Sequence, residues 1–211
     1  MPAISLELAA PDSRVPTLRA GRITLRQLRS EDLDAILRWD SQADLVHLYG
    51  GRPSELAFQT SGCAIGIEQA GRLIGLVGLS GETWAMRSAE LRVLIADPTD
   101  RGQGFGREAV SAFLAHVRAT TDLDFIYLRV LRGNGPAIRC YERCGFRRAG
   151  RLRVRQDHRY VSPPLADDLV LMVAEARGAG ETQRRPLSQP AFLTLSEGRV
   201  YIGGIGEDEE E

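Results

Sequence analysis

The segment from residue 90 to residue 118 constrains the fold most, because it indicates a strand, a glycine-rich loop and a helix in direct succession. A strand-like run over residues 90–96 ends at Asp97-Pro98, and the loop Arg101-Gly-Gln-Gly-Phe-Gly106 follows. The next apolar residues share one face of a helix, at positions Ala109, Val110, Phe113, Leu114 and Val117. A strand that feeds directly into a helix through glycines predicts a ligand site at the helix start.

The glycine loop favours an anion as that ligand. Glycine lets a backbone approach a ligand closely and adopt positive φ. The unpaired N–H groups and the dipole at a helix N-terminus attract a phosphate or pyrophosphate, and Arg101 or Arg107 would add positive charge. An ordinary glycine-rich turn is the alternative. A Rossmann loop is disfavoured, because Arg107 stands where the third glycine of GxGxxG belongs.

The remaining pattern predicts an α+β fold. Strands are expected at Ile23 and Leu25 and over residues 63–67, 73–79, 125–131, 146–154 and 169–173, and helices from Ser30 and from Asn134, where Gly145 ends the second helix. A loop with short helical pieces is expected over residues 40–58. Because strands and helices do not alternate regularly, we expect a mixed sheet with helices on both faces.

The chain divides into three predicted parts. Residues 1–20 indicate an extended leader, residues 21–176 a single domain, and residues 177–211 a C-terminal extension. Within the extension, residues 191–195 and 200–202 flank Ser-Glu-Gly-Arg and predict a hairpin, while residues 207–211 form an acidic tail. The sequence leaves the oligomeric state open, although the hairpin could add to a partner's sheet edge and form a homodimer.

Composition excludes several chemistries. All 27 basic residues are Arg, so the Lys of a Walker loop, of a protein kinase and of a Schiff-base enzyme is missing. The net charge of −1 does not indicate the excess of positive charge that is typical of nucleic-acid-binding proteins. The three Cys have no zinc-ligand spacing, so we expect no metal and a reduced, cytoplasmic setting. The start lacks the pattern of a signal peptide, and no apolar run approaches the ~20 residues of a membrane span.

Two motifs together resemble a known superfamily. The run Arg101–Gly106 matches R-x-x-G-x-G, the acetyl-CoA pyrophosphate loop of the GCN5-related N-acetyltransferases (GNAT). About 30 residues further on, Asn134–Phe146 is similar to the signature N-x-x-A-[IV]-x-x-Y-x-x-x-G-F of the same superfamily. The stretches 89–95 and 155–172 look most like the branch of ribosomal-protein N-terminal alanine acetyltransferases. Diamine and aminoglycoside acetyltransferases are also similar, so the acceptor stays open.

The resemblance implies a central mixed, mostly antiparallel sheet of about seven strands and transfer of an acetyl group from acetyl-CoA to a primary amine. Glu90 would then be the general base, through a water, and Tyr141 the acid for the thiolate. The positions that would hold acetyl-CoA lie at the strand end, in the loop and on the second helix: Leu94, Ile95, Ala96, Arg101, Gly102, Gln103, Gly104, Phe105, Gly106, Arg107, Asn134 and Tyr141.

Several of these candidate site residues could instead have a purely structural role. Glu90 could be a solvent-facing strand carboxylate, Tyr141 a core aromatic, Phe105 a core residue and Asn134 a helix cap that needs no ligand. Two other functions also remain. A non-catalytic CoA-binding or regulatory module would bind CoA without turnover, and a glycine-loop nucleotide binder would prefer NAD or ATP.

Overall fold

The computed structural model describes residues 17–49, 51–57, 64–83, 87–151, 169–176, 192–196 and 199–203. Several predicted features lie outside these residues: most of the leader, Cys63, the strand beyond residue 151 and the acidic tail. The described strands are β1 (Leu18–Ala20), β2 (Ile23–Arg26), β3 (Ala64–Gln69), β4 (Arg72–Thr83), β5 (Ser88–Ile95), β6 (Phe125–Leu131), β7 (Arg147–Arg151), β8 (Leu169–Glu175), β9 (Phe192–Ser196) and β10 (Arg199–Gly203).

The helices follow the predicted order. A 3-10 turn at Ser30–Asp32 leads into α1 (Leu33–Asp40), and the segment expected to hold short helical pieces contains α2 (Ala43–Tyr49) and α3 (Pro53–Ala57). The longer α4 (Phe105–Thr120) and α5 (Gly135–Arg143) follow the two motifs. The Asn134 side chain caps α5, and Gly145 ends it at φ 92°, as predicted.

An eight-stranded sheet in the order β1-β2-β3-β4-β5-β6-β8-β7 confirms the α+β prediction. Its pairings are antiparallel except for the parallel pair β5–β6. The sheet has one strand more than the expected seven or so, because Leu18–Ala20, at the end of the predicted leader, pairs with β2. Strands β9 and β10 form a separate antiparallel pair.

The two faces of the sheet pack differently. On one face, α4 and α5 cover a large apolar core that includes Phe113, Leu114 and Ile126, all at most 1% exposed. On the other face, α1, α2 and α3 pack on a smaller cluster around Leu76 and Leu94. Residues of β5 therefore alternate between the two cores: Ala89 and Leu91 face α4, while Leu94 faces α1.

No helix in the described part of the chain is long and apolar enough to cross a membrane.

Candidate active site

A gap opens between the two parallel strands β5 and β6. Their pairing covers Ser88–Glu90 on β5 and Phe125–Tyr127 on β6. Beyond that point β5 stays paired with β4 up to Ile95, and β6 stays paired with β8 up to Leu131. The two strands therefore part after Glu90, and each leaves backbone groups on the side of the gap.

The register decides which backbone groups those are. The Ala96 N–H donates to the Ile74 carbonyl at 2.9 Å, so the N–H of Ala96 and, two residues earlier, the backbone groups of Leu94 point toward β4. Val93 and Ile95 turn theirs toward the gap. Of the three strand residues expected to meet the pantetheine arm, Ile95 is the one with backbone groups on that side. Val93 is a candidate that the motif did not indicate, although strand alternation would have found it.

The glycine loop leaves the start of α4 uncapped. Gly102 and Gly104 both have positive φ, 76° and 92°, and Gly104 is the N-cap residue without a side-chain bond. The Glu108 N–H donates to the Gly104 carbonyl at 3.1 Å and begins the helical ladder. The preceding N–H groups of the first turn have no partner within the helix. These N–H groups are hydrogen-bond donors that a bound anion could use.

Arg101 anchors the loop instead of pointing into it. Its guanidinium donates from Nε to the Ile95 carbonyl at 2.9 Å and from Nη2 to the Ala96 carbonyl at 2.7 Å. These bonds tie the loop to the end of β5. Arg107, in the first turn of α4, is exposed and is therefore the basic residue of the motif that is open to a bound anion.

Glu90 is not a solvent-facing carboxylate. It is 4% exposed, and Arg129 on β6 holds it with two hydrogen bonds, Nε to Oε1 at 3.0 Å and Nη2 to Oε2 at 2.7 Å. Both side chains of this bidentate ion pair are buried. The pair lies at the apex of the gap, which is the point where the pairing of β5 and β6 ends.

Tyr141 extends from α5 and packs edge-on against Phe146, with the ring centroids 6.0 Å apart. Burial raises the pKa of its hydroxyl above the ordinary 10, and the neighbouring Cys140 and Cys144 raise it further, while the charge of Arg92 on β5 opposes them. The phenol is therefore protonated at neutral pH.

A group of polar residues that the motifs did not indicate lies on the α1 face near Glu90. The Arg92 guanidinium stacks on the Tyr49 ring, 4.3 Å from its centroid, and donates to the Tyr49 carbonyl at 3.2 Å. Burial raises the pKa of Tyr49 to about 12, and its buried hydroxyl has no hydrogen-bond partner among the described residues. Tyr127, paired with Glu90, is also buried. Because these residues come from α2, β5 and β6, no local sequence pattern links them.

Two further motif residues, Asn134 and Phe105, have structural roles in the fold. The Asn134 Oδ1 accepts a hydrogen bond from the Ala137 N–H at 3.3 Å, so the residue is a helix cap. Phe105 is 8% exposed and belongs to the core under α4.

The chain belongs to a family of acetyltransferases: the acetyltransferase (GNAT) domain matches residues 22–147. Among curated proteins it is similar to a mycothiol acetyltransferase of Salinispora tropica, with 33% identity over 138 residues, which is 60% of this chain and 45% of that protein. It is also similar to a spermidine N(1)-acetyltransferase of Vibrio cholerae, with 40% identity over 80 residues, 38% of this chain and 46% of that protein.

A solved structure shares the fold. The spermidine N-acetyltransferase of Vibrio cholerae, solved with CoA and spermine, superimposes with a TM-score of 0.62 and 26% identity over 74% of this chain and 96% of that chain. The present chain spans about half the length of the curated relatives named above.

Proposed function

We propose that this protein is an N-acetyltransferase that moves the acetyl group of acetyl-CoA to a primary amine. One observation carries the proposal: the parallel strands β5 and β6 part directly beside an uncapped, glycine-rich helix start. An extended thiol cofactor that ends in a pyrophosphate needs both features, a strand edge for its amide arm and N–H donors for its phosphates.

The residues present fit acetyl-CoA. The first-turn N–H groups after Gly102 and Gly104 would hold the pyrophosphate, with the exposed Arg107 adding charge. The backbone groups of Val93 and the N–H of Ile95, whose carbonyl already accepts from Arg101, would pair with the pantetheine arm. This direction of binding would bring the thioester toward the apex of the gap, where Glu90 and Tyr127 are paired. Acetyl-CoA would supply the activated acyl group there.

Proton transfer is assigned to Glu90 and Tyr141. An amine attacks only when neutral, so its proton must leave, and the buried Glu90 carboxylate at the apex of the gap is the group proposed to take it through a water. The raised pKa of Tyr141 keeps its hydroxyl protonated, as a donor to a departing thiolate must be.

The test is thiol release with acetyl-CoA and an amine panel that includes spermidine, an aminoglycoside and a peptide N-terminus. Tyr141→Phe should lower kcat by about 100-fold, because a positioned acid contributes that order of rate. Calorimetry should show CoA binding within twofold of wild type, since the phenyl ring and its packing on Phe146 remain. No acetylated product and no CoA binding by the wild-type protein would refute the proposal.

The Glu90–Arg129 pair is the observation that favours a second candidate, a CoA-binding module without catalysis. Both Glu90 oxygens already accept hydrogen bonds, which is the arrangement of a structural ion pair. This candidate predicts CoA binding with no turnover for any amine. It also predicts that Glu90→Gln changes stability alone.

Assembly and extent of the domain are part of the proposal. A dodecameric structure is known for the Vibrio cholerae spermidine enzyme, so we propose a homo-oligomer here, with the homodimer as its simplest form. We further propose that the catalytic domain spans residues 21–176 preceded by β1, and that the protein works in the cytoplasm. Light scattering after size exclusion would give the oligomeric state.

A further inference from the structure

Arg22 contacts the glycine loop although it lies 81 residues before Gln103 in the sequence. It follows Gly21, whose φ of 59° forms the turn between β1 and β2. Its Nη2 donates to the Gln103 carbonyl at 2.5 Å. Its Nε and Nη2 donate to Glu108 Oε1 at 3.0 and 2.6 Å, and its backbone N–H donates to Glu108 Oε2 at 2.8 Å. One residue thus binds both the loop and the first turn of α4.

The Arg22 side chain is 55% exposed, so hydrogen bonds and one ring contact, and not burial, hold it in place. The Arg22 guanidinium stacks on the buried Phe105 ring, 4.6 Å from its centroid. A Cβ added at Gly104 would stand 3.1 Å from Arg22 Nη2, and one at Gly21 would stand 2.7 Å from Glu108 Oε2. Both glycines are therefore positions of close approach, and the contact depends on them as well as on the charges.

The bond to Gln103 orients a donor. In a trans peptide the C=O and the N–H of the same unit point in opposite directions. Because Arg22 draws the Gln103 carbonyl toward itself, the N–H of Gly104 in that peptide points away from Arg22, to the other side of the loop. A peptide flip at this unit would replace that N–H with a carbonyl oxygen, which repels an anion.

We propose that Arg22 is a positioning residue that holds the Gln103–Gly104 peptide so that its N–H faces the pyrophosphate of CoA. This inference rests on the proposed CoA site. Arg22 complements Arg101: Arg101 ties the entry of the loop to β5, and Arg22 ties its exit to the β1–β2 turn.

The experiment compares Arg22→Gln and Arg22→Lys with wild type, using calorimetry with CoA and thiol-release kinetics with acetyl-CoA and a working amine. Both variants should weaken CoA binding and raise the KM for acetyl-CoA about tenfold, the effect of one charge-assisted hydrogen bond, with kcat at saturation within about twofold. Lys should not rescue, because a single ammonium cannot bind Gln103 and Glu108 in the forked geometry of Arg.

Two controls separate positioning from general damage. S-acetylpantetheine lacks the pyrophosphate, so Arg22→Gln should use it as well as wild type does. Glu108→Gln removes the ion pair but leaves the bond to Gln103, and should change CoA affinity by about twofold at most. Equal CoA affinity in Arg22→Gln and wild type would overturn the inference, as would full rescue by Lys. Absence of CoA binding in wild type would instead refute the proposed function.

Discussion

The two helices that follow the two motifs begin in opposite ways. Helix α4 starts at Gly104, a left-handed residue with no side chain to cap the first turn. Helix α5 starts at Asn134, whose side chain accepts from the Ala137 N–H, and Pro136 in its first turn has no N–H at all. One helix start keeps its donors available, and the other has used or lost two of them.

The presence or absence of a capping side chain separates a helix start that is open to a ligand from an ordinary helix start. A helix N-terminus without a cap residue is less stable than a capped one, but its N–H groups stay available to a ligand. A capped one is stable by itself. We therefore propose the anion site at the start of α4 and a capping role for Asn134, although Gly104 and Asn134 belong to motifs of the same family.

The largest expected effect comes from giving the open helix start a side chain. Gly104→Ala forces a left-handed φ of 92° on a residue with a Cβ, which costs about 1–2 kcal/mol, and crowds the Arg22 guanidinium. Because alanine disfavours this φ, we expect the loop to change conformation and the Kd for CoA to rise about tenfold or more. Calorimetry with CoA measures the Kd, and urea unfolding measures the stability.

A matched control lies at the other end of α5. Gly145 has the same φ of 92°, and an added Cβ there would meet no atom within 4 Å. Gly145→Ala should lose a similar stability and keep the wild-type Kd for CoA. If both variants lose affinity equally, the effect is global and the comparison between the two helix starts fails.

A smaller effect is expected at the capped start. Asn134→Ala removes the bond to the Ala137 N–H and should lower the free energy of unfolding by about 1 kcal/mol, the usual value of a cap. The Kd for CoA should stay within about twofold, and Asn134→Ser should restore most of the stability. If Asn134→Ser is as stable as wild type but binds CoA ten times more weakly, the side chain is a ligand and not only a cap.

Local patterns were sufficient to predict most of the fold. Strand β6 occupies the predicted residues 125–131, and both ends of α5 lie at the expected cap residues. These features depend on side chains within a few positions of each other. Strand β1 was missed because Leu18–Ala20 is too short to show alternation and is held by pairing with β2.

The side chains of the candidate site were harder to predict, because their partners are distant in sequence. Glu90 becomes a buried ion-pair member only when β6 brings Arg129 beside it, and Arg101 turns to carbonyls of β5 instead of toward an anion. The contact of Arg22 with Glu108 spans 86 residues. Residue type and spacing predicted the order of strand, loop and helix around the candidate site, but side-chain direction follows from the tertiary packing.

An acidic residue in the first turn adds a pH dependence that α5 lacks. Burial alone would raise the pKa of Glu108, but hydrogen bonds from Arg22 and its charge outweigh this and hold the pKa below the ordinary 4.5. A lowered pKa stabilises the fold above the unfolded value and loses this contribution as pH falls through the folded value. Urea unfolding should therefore show Glu108→Gln less stable than wild type at pH 7, by under about 1 kcal/mol.

That difference should shrink as the pH falls below 4.5 and disappear once Glu108 is protonated in both folded and unfolded chains. A constant difference between pH 7 and pH 3 would mean that the substitution acts through packing and not through the charge at the start of α4.

The last prediction concerns the reactivity of the Cys144 thiol and not the stability of the protein. This thiol lies between the end of α5 and the start of α4. Cys144 ends α5, and its Sγ lies 3.9 Å from the Arg107 carbonyl and 3.5 Å from Ser111 Oγ on α4. Interaction with the neighbouring Cys140 lowers the pKa of Cys144 below its ordinary value, helped by Ser111 and the charge of Arg107 against burial. Iodoacetamide labelling followed by peptide mass spectrometry should give a half-maximal rate for Cys144 at lower pH than for Cys140, whose pKa is raised and which should react slowly at pH 7.

Occupancy of the open helix start should alter this reactivity. A pyrophosphate bound at the first turn of α4 would oppose a neighbouring thiolate, so saturating acetyl-CoA without an acceptor should move the Cys144 midpoint to higher pH. Cys140→Ser tests the cause, because it replaces the principal thiol partner of Cys144 and should also move the midpoint. A midpoint near the ordinary value of 9.0 in the free protein would contradict the thiolate, and a midpoint unaffected by acetyl-CoA would place the bound anion away from α4.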